Sequence, residues 1–364
     1  LFYRPNLNYF GTDTLTLLVD DKGNAGGPAL SDSDTANIVV TSVNDDPVAN
    51  DDSGHGFITD EESGLTTADV LSNDSDVDTG DVLSVSGINT AGTLGTVSDN
   101  GDGTFDYDPN GQFEYLAVGE TATDTFTYTI DDGNGGTDTA TVTITINGVN
   151  DSPTANANSG AGFSTDEDSS FTTGDVLPNE TDPDTSDTVN VSGINTAGTL
   201  GTVTDNGDGT FDYDPNGQFE YLAVGETATD AFTYTVDDGN GGTDIATVTI
   251  TINGVNDAPT ANANSGAGFS TDEDSSFTTG DVLPNDTDPD TSDTVNVSGI
   301  NTAGTLGTVT DNCHGNIYYE PNGQIEYLAV GETATDTFTY AIDDGNGGTD
   351  TATVTVTING VNDS

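Results

Sequence analysis

Apolar side chains alternate with threonine and other polar residues through much of this chain. Residues 232–236 read Phe-Thr-Tyr-Thr-Val, and residues 247–252 read Thr-Val-Thr-Ile-Thr-Ile. A period of two is typical of a β-strand that buries one face and exposes the other to water. The turn sequence Asp-Asp-Gly-Asn-Gly-Gly lies at 237–242, so the pattern predicts a β-hairpin. Helical periodicity with capping residues is absent, and the chain is predicted to be all-β.

A second, longer period organises the chain, because the string Val-Asn-Asp recurs four times at intervals of 106 residues. This interval exceeds the roughly 20–50 residues of a solenoid repeat and suits an independent domain. About seven short strands per interval predict an immunoglobulin-like Greek-key β-sandwich. We therefore expect tandem sandwich domains arranged as beads on a string. The predicted domains are a truncated repeat at 1–45, which holds only the C-terminal part of a domain, and full repeats at 46–151, 152–257 and 258–364, the last with the start of a further linker.

The charge of the chain excludes several classes of function. The sequence has 64 Asp and Glu residues against 2 Lys and Arg, for a formal net charge of −62. So few cations leave no basic surface for nucleic acid, and an anionic membrane would repel the chain. No apolar run approaches the roughly 18 residues that span a bilayer, so membrane insertion is not expected. The 14 Phe and 12 Tyr residues also distinguish the chain from a disordered acidic tail.

The end of each full repeat carries a family motif. In the second full repeat, Val-Asp-Asp-Gly-Asn-Gly-Gly at 236–242 precedes a threonine-rich strand and Val-Asn-Asp-Ala-Pro at 255–259. These residues resemble the end of cadherin-like or VCBS-type tandem repeats, which occur in large bacterial surface proteins and RTX-type adhesins. The resemblance covers the whole chain. It implies calcium-rigidified stalk or spacer repeats of a secreted or cell-surface adhesin, acting in cell adhesion, biofilm formation or surface attachment.

The resemblance also implies which residues bind calcium. In cadherins the ions lie at domain junctions, between an early acidic cluster of one domain, the linker, and two acidic motifs of the next domain. A further mid-domain motif is matched only loosely, by Glu120 or Glu226, which leaves the number of ions per junction open. The implied ligands are Asn44, Asp45, Asp76, Asp78, Asp131 and Asp132 at the first junction; Asp60, Glu61, Asn150, Asp151, Asp182, Asp184, Asp237 and Asp238 at the second; and Asp166, Glu167, Asn256, Asp257, Asp288, Asp290, Asp343 and Asp344 at the third, where the early cluster extends to Asp168.

The chemistry of the acidic residues is consistent with calcium. Calcium takes 6–8 oxygen ligands from carboxylates, Asn side chains and backbone carbonyls. The acids divide into 52 Asp and 12 Glu, and the short Asp side chain holds its oxygens close to a bending backbone. The full repeats contain no Lys or Arg, so salt bridges within them cannot neutralise the carboxylates. The alternative is a solvated acidic surface with no bound ion.

Enzymatic chemistry is not expected. The adjacent pair Cys313-His314 stands where the second full repeat has Gly207-Asp208, in a predicted turn. Neighbouring positions on a turn rarely direct both side chains at one point, and the only other histidine is His55. The pair is therefore interpreted as a surface substitution, and the chain as a protein that is not an enzyme.

Three other functions compete with the adhesin stalk. The chain could be a subunit of a self-assembling extracellular filament or sheath, in which copies of itself are the partners. It could be a carbohydrate-binding module that uses Tyr213, Phe219 and Tyr221 as a platform, although their spacing suits core packing better. It could also be a cytosolic protein of a halophile, but tandem repeats with junctional acids favour an extracellular location. Any cell-surface or glycan target would be bound through other domains.

Overall fold

The computed structural model describes residues 2–23 and 26–362. Asp363 and Ser364, the end of the last predicted repeat, lie outside the described residues. Within the described residues, no helix is long and apolar enough to cross a membrane. The chain forms two compact units, of which the first comprises residues 1–152, 182–188 and 240–242, and the second comprises residues 153–181, 189–239 and 243–364.

The N-terminal region forms a hairpin of two long strands, and each full repeat forms seven strands. The hairpin pairs β1 (Gly11–Asp20) with β2 (Ser31–Val40). The first full repeat has β3 (Ile58–Asp60), β4 (Leu65–Thr66), β5 (Ser84–Asn89), β6 (Thr96–Asp99), β7 (Phe105–Asp108), β8 (Thr121–Asp131) and β9 (Thr137–Asn147). The second has β10 (Ser164–Asp166), β11 (Phe171–Thr172), β12 (Asn190–Asn195), β13 (Thr202–Asp205), β14 (Phe211–Asp214), β15 (Thr227–Asp237) and β16 (Thr243–Asn253). The third has β17 (Ser270–Asp272), β18 (Phe277–Thr278), β19 (Asn296–Asn301), β20 (Thr308–Asp311), β21 (Ile317–Glu320), β22 (Thr333–Asp343) and β23 (Thr349–Asn359).

Each full repeat is a sandwich of a four-stranded and a three-stranded sheet. In the second full repeat the strand orders are β10-β16-β15-β12 and β11-β14-β13. The hairpin predicted from the alternating pattern consists of β15 and β16, which pair with each other antiparallel. The first strand, β10, pairs parallel with β16, and between these strands the chain crosses to the other sheet and back twice. A single turn of 3-10 helix occurs in each repeat, at Val70–Asn73, Leu177–Asn179 and Leu283–Asn285.

The core lies between the two sheets and follows the period-two pattern. In the second full repeat Phe232, Tyr234 and Val236 on β15 are buried, and the threonines between them are half-buried. Phe211 from the other sheet meets Phe232 edge to face, with ring centroids 5.0 Å apart. Burial of each such side chain stabilises the repeat by about 1.5–3 kcal/mol.

The aromatic platform considered for a carbohydrate-binding module is not present. Tyr213 and Phe219 are each only 1% exposed and belong to the core of the second full repeat. Tyr221 alone is exposed. The core packing that their spacing favoured is observed for Tyr213 and Phe219, because the alternation places Tyr213 on the inward face of β14 and the loop after it directs Phe219 into the same core.

In each full repeat a buried aspartate accepts hydrogen bonds from both a loop and the core. In the second, Asp230 on β15 accepts hydrogen bonds from the Tyr213 hydroxyl at 2.8 Å, from Gly201 N at 2.9 Å and from Leu200 N at 3.0 Å. Asp230 is only 5% exposed. The carboxylate thus supplies acceptors for three donors that burial would otherwise leave unsatisfied. Asp124 and Asp336 make the same contacts in the other full repeats.

The Cys313-His314 turn is strained by comparison with its counterparts. Cys313 has φ 69° and His314 has φ 55°, in the left-handed region that favours glycine, and Gly207 holds φ 77° at the position equivalent to Cys313. Replacing Cys313→Gly is expected to stabilise the third full repeat by about 0.5–1 kcal/mol, because a side chain at such φ is disfavoured. Hydrogen–deuterium exchange of β20 and β21, the strands on either side of this turn, checks this. Cys313→Ser, which keeps the Cβ atom, should give no gain, and an equal gain in both variants would contradict the strain argument.

Candidate functional site

Three acidic side chains converge at the linker that follows the second full repeat. Glu167, Asp257 and Asp290 each place a carboxylate oxygen within 4.8 Å of the others. Glu167 is 2% exposed and Asp290 is 1% exposed. All three belong to the second compact unit. The residues that the resemblance assigned to an early cluster, a linker and the following repeat are therefore neighbours in this unit.

Backbone hydrogen bonds hold these carboxylates in place. Glu167 follows β10, and its Oε1 accepts a hydrogen bond from Val255 N at 2.8 Å. In the linker, Asp257 N donates to Asp290 Oδ2 at 3.0 Å. Asp290 N in turn donates to Asp288 Oδ1 at 3.0 Å. The linker backbone thus fixes the spacing between an acid of one repeat and the Asp-Pro-Asp loop of the next.

The opposite oxygens of these carboxylates have no hydrogen-bond partner among the described residues. Glu167 Oε2, Asp257 Oδ2 and Asp290 Oδ1 are all inaccessible to solvent. The sequence has no Lys or Arg beyond residue 22, so neither type of side chain in the second unit can neutralise them. A buried carboxylate without a partner is costly. The same buried, unpartnered state is found for Asp166 Oδ1, Asn256 Oδ1 and Asp288 Oδ2.

Burial makes ionisation of this cluster unfavourable when no cation is bound. Burial raises the pKa of Glu167 to about 6, and the charges of Asp257 and Asp290 contribute to the rise. Burial likewise raises the pKa values of Asp257 and Asp290. Desolvation and like charges together push a carboxyl group toward its neutral form, whereas a bound cation reverses that preference.

A second acidic triad shares Asp257. Asp168, Glu220 and Asp257 also have carboxylate oxygens within 4.8 Å of one another. The sequence analysis missed Glu220 and considered Glu226 instead. Glu226 is not in either triad of this linker, and its Oε2 accepts a hydrogen bond from Ala223 N at 3.1 Å. The signal that could have found Glu220 is the Gln-x-Glu-Tyr-Leu segment, which recurs in each full repeat.

The Asp-Asp-Gly turn contributes one of its two aspartates to the linker. Asp344 Oδ2 accepts a hydrogen bond from Asn256 Nδ2 at 3.0 Å, and its Oδ1 accepts from Asn346 N, Gly347 N and Gly348 N. Asp343 instead accepts from Gly345 N at 2.7 Å within the turn. Asp131 and Asp237 do the same in their own turns, with Gly133 N and Gly239 N. These three predicted ligands thus make turn contacts.

The first compact unit contains the corresponding arrangement. Glu61, Asp151 and Asp184 have carboxylate oxygens within 4.8 Å of one another. Asp151 N donates to Asp184 Oδ2 at 2.9 Å, as Asp257 N does to Asp290. A second triad of Glu62, Glu114 and Asp151 matches the one that contains Glu220. Of the other predicted residues in this unit, Asp60 has a buried oxygen with no partner in the described chain, Asp182 Oδ1 accepts from Asp184 N, and Asn150 Nδ2 donates to Asp151 O. Asp238 belongs to the second compact unit and is buried there.

The linker before the first full repeat follows the same plan. Asp45 N donates to Asp78 Oδ2 at 2.8 Å, and Asp78 N donates to Asp76 Oδ1 at 2.7 Å. Asn44 Nδ2 donates to Asp132 Oδ2 at 2.7 Å; this bond, with backbone donors of the turn, lowers the pKa of Asp132. A triad forms from Asp76, Asp132 and the unpredicted Asp81. The same contacts therefore recur at successive linkers.

Comparison with known proteins finds a matching family and a protein of similar sequence. Residues 44–148, 150–254 and 256–360 each match the family described as bacterial cadherin-like domain. The calcium-binding lectin RapA2 of Rhizobium johnstonii is 32% identical over 178 residues, which cover 42% of this chain and 72% of that protein.

Solved structures of cadherin domains are similar in fold. Extracellular cadherin domains 1–5 of protocadherin gamma B2 align with a TM-score of 0.59 and 14% identity, over 97% of this chain and 67% of theirs. The extracellular domain of protocadherin gamma B4 aligns with a TM-score of 0.56 and 15% identity, over 96% of this chain and 54% of its own. At these identities the likeness concerns the fold, which is a series of tandem cadherin-like β-sandwiches.

Proposed function

The chain belongs to the family of bacterial cadherin-like domains, and from this premise we propose that its linker clusters bind calcium and stiffen an extracellular stalk of an adhesin. The family and the fold confirm the tandem cadherin-like architecture predicted from the sequence. They also confirm that the chain is a structural or adhesive protein rather than an enzyme. The calcium ions, the stalk role and the domain boundaries at 45/46, 151/152 and 257/258 are part of the proposal.

The unpartnered oxygens at the linkers support calcium. Glu167, Asp257 and Asp290 present buried oxygens within reach of one another, and no hydrogen bond from the described residues satisfies them. All these donors are hard oxygens, without the thiolate or imidazole groups typical of zinc sites, and calcium prefers such a set. The donor chemistry therefore fits the ion. A bound calcium ion would supply the positive charge that this acidic chain lacks.

The role of each residue follows from its place in the chain. Glu167 directly follows β10 in the second full repeat, Asp257 lies in the linker, and Asp290 lies in a loop of the third full repeat. An ion held by all three would restrict rotation about the linker. A direct hydrogen bond between the two repeats also restricts this rotation, because Thr291 N donates to Tyr221 O at 3.3 Å. Repeating this arrangement at each linker would keep tandem repeats extended away from a cell surface.

Substitution of Glu167 tests the proposal at one linker. Glu167→Gln is expected to weaken calcium binding at that linker by at least about tenfold, because even supporting groups of a metal site typically contribute about 10–100-fold in affinity. Isothermal titration of the full chain with calcium measures the change.

Glu226→Gln is the matched control for this experiment. It makes the same chemical change in the same repeat, at a residue outside both triads that can still accept from Ala223 N through its amide oxygen. We expect its calcium affinities to equal those of the unmodified chain. Equal affinities for Glu167→Gln and Glu226→Gln would contradict the assignment of Glu167 as a ligand.

A further inference from the structure

One buried polar position differs between the full repeats. Asp52 in the first full repeat occupies the position of Asn158 in the second and Asn264 in the third, at steps of 106 residues. All three side chains are buried, and each residue forms a parallel bridge to the central hairpin, with Val142, Val248 and Val354 respectively. The backbone setting is therefore the same in the three repeats, and only the side-chain chemistry changes.

The asparagines at this position act as hydrogen-bond donors. Asn264 Nδ2 donates to Tyr340 Oη at 3.0 Å, to Asn262 O at 3.0 Å and to Val282 O at 3.2 Å. Asn158 Nδ2 donates to Tyr234 Oη at 2.8 Å and to Asn156 O at 2.9 Å. The surrounding groups are acceptors, so this pocket requires a donor at its centre.

Asp52 meets the same acceptors without an amide to donate. Its Oδ2 is buried and has no hydrogen-bond partner in the described part of the chain. The Tyr128 hydroxyl, which corresponds to that of Tyr340, lies within hydrogen-bonding distance of Asn50 O at 3.2 Å and of Asp74 Oδ2 at 3.1 Å. The Tyr128 hydroxyl and the Asn73 side-chain amide are the donors near Asp52, but burial and the charges of Asp74 and Asp51 oppose its ionised form more strongly.

The titratable groups around Asp52 are acidic on every side. Tyr128 approaches from β8 and Asp74 from the loop after the 3-10 turn, and Asp51 precedes it in the chain. Asp138 on β9 adds its charge next to Asp74. His55 lies in the same loop and is exposed to solvent. No Lys or Arg exists between residues 46 and 151 to offset these charges.

We propose that Asp52 carries a proton in the folded chain at mildly acidic pH, so that its carboxyl O–H replaces the asparagine N–H as the donor and makes the first full repeat sensitive to pH. Protonation converts the Asp52 carboxylate from an acceptor into a donor, at a position where the other full repeats carry a donating amide. The other two full repeats lack this dependence at the same position, because an amide does not titrate. This device is separate from calcium binding at the linkers.

The direction of the pH effect follows from linkage. Burial raises the pKa of Asp52 to about 6, with the charges of Asp74 and Asp51 adding to the rise, against about 3.9 in an unfolded chain. Between these values the folded repeat keeps a proton that the unfolded repeat releases. Stability is therefore highest below about pH 4 with respect to this group, falls as the pH rises, and levels off above pH 6. The unfolding constant rises by up to about tenfold per pH unit in that window.

Hydrogen–deuterium exchange of the full chain tests the proposal. We compare the unmodified chain with Asp52→Asn at pH 5 and pH 7, each at the same free calcium concentration, and follow the amides of β9, which bridge to residue 52. The asparagine variant is expected to fold, because the other repeats carry it. The protection of β9 in the variant relative to the unmodified chain should rise about tenfold from pH 5 to pH 7. Titration at the linkers affects both proteins and cancels in this ratio.

Asn264→Asp is the matched reverse variant. The nearby Asp286 accepts a hydrogen bond from the Tyr340 hydroxyl as Asp74 does from the Tyr128 hydroxyl, so the variant should give β23 the same pH dependence. A protection ratio that does not change with pH for Asp52→Asn would overturn the proposal, as would an Asn264→Asp variant without the new dependence. Loss of one bound cation in Asp52→Asn, measured by atomic emission after dialysis, would also overturn it, because a metal ion rather than a proton would then neutralise Asp52.

Discussion

Removing calcium is expected to lower the melting temperature of the chain by about 10–20 °C. A ligand present at about 100 times its dissociation constant stabilises the state that binds it by about 2.7 kcal/mol per site. For a domain of this size about 1 kcal/mol corresponds to about 4–8 °C. If calcium binds as proposed, its removal leaves buried carboxyl groups such as Glu167 and Asp290 without the cation that offsets their burial. Calorimetry of the full chain with calcium and with EDTA measures this change.

Charge screening is the control for the calcium experiment. The chain has a net charge of −62, so any salt reduces its self-repulsion. Sodium chloride at the same ionic strength, with EDTA present, should recover only a small part of the lost stability. Small-angle scattering of the same samples should show greater interdomain flexibility in EDTA. Equal stabilisation by sodium and calcium salts would mean that the acids act as a general charged surface.

Replacing Asp230→Ala is expected to destabilise the second full repeat by about 3–5 kcal/mol, because each buried donor left without an acceptor costs about 1–3 kcal/mol and the substitution leaves three. The substitution leaves the Tyr213 hydroxyl and the amides of Leu200 and Gly201 without their acceptor. Hydrogen–deuterium exchange is the appropriate measurement, because several domains unfold in this chain and each strand reports on its own repeat. We expect the loss of protection in β14 and β15 to be large.

The other repeats are internal references for this variant. Strands β7, β8, β21 and β22, which keep Asp124 and Asp336, should retain their protection. Tyr213→Phe removes only one of the three donors and should cost about 1 kcal/mol, close to the value of a single hydrogen bond. If Asp230→Ala cost no more than Tyr213→Phe, the carboxylate would not be the centre of the network.

The period-two pattern was sufficient to predict the central hairpin. Phe232, Tyr234 and Val236 alternate with threonine over a stretch long enough that a shift of one residue would expose the whole apolar set. The parallel pairing of β10 with β16 was not predictable in the same way. Only three residues pair, from Ser164 to Asp166, and so short a segment carries almost no periodic signal.

Part of the candidate site was predictable from the resemblance to cadherin-like repeats and not from the period-two pattern. The resemblance assigned Glu167, Asp257 and Asp290 to one junction, and the structure places their oxygens together. It also assigned Asp343, which accepts from Gly345 N in its own turn. Two adjacent aspartates in a turn look equivalent in sequence, but the pleat directs only one of them toward the linker. Glu220 was missed because its position depends on a loop without periodicity.

Counting the calcium ions bound to the full chain tests the central claim most directly. Equilibrium dialysis compares the unmodified chain, a variant with Asp45, Asp151 and Asp257 replaced by Ala, and a control with Asp99, Asp205 and Asp311 replaced by Ala. The control removes the same number of carboxylates from exposed hairpin turns. We predict saturable binding of at least one ion per linker in the unmodified chain and the control, and loss of these ions in the linker variant. Equal calcium binding by the linker variant and the control would contradict the account.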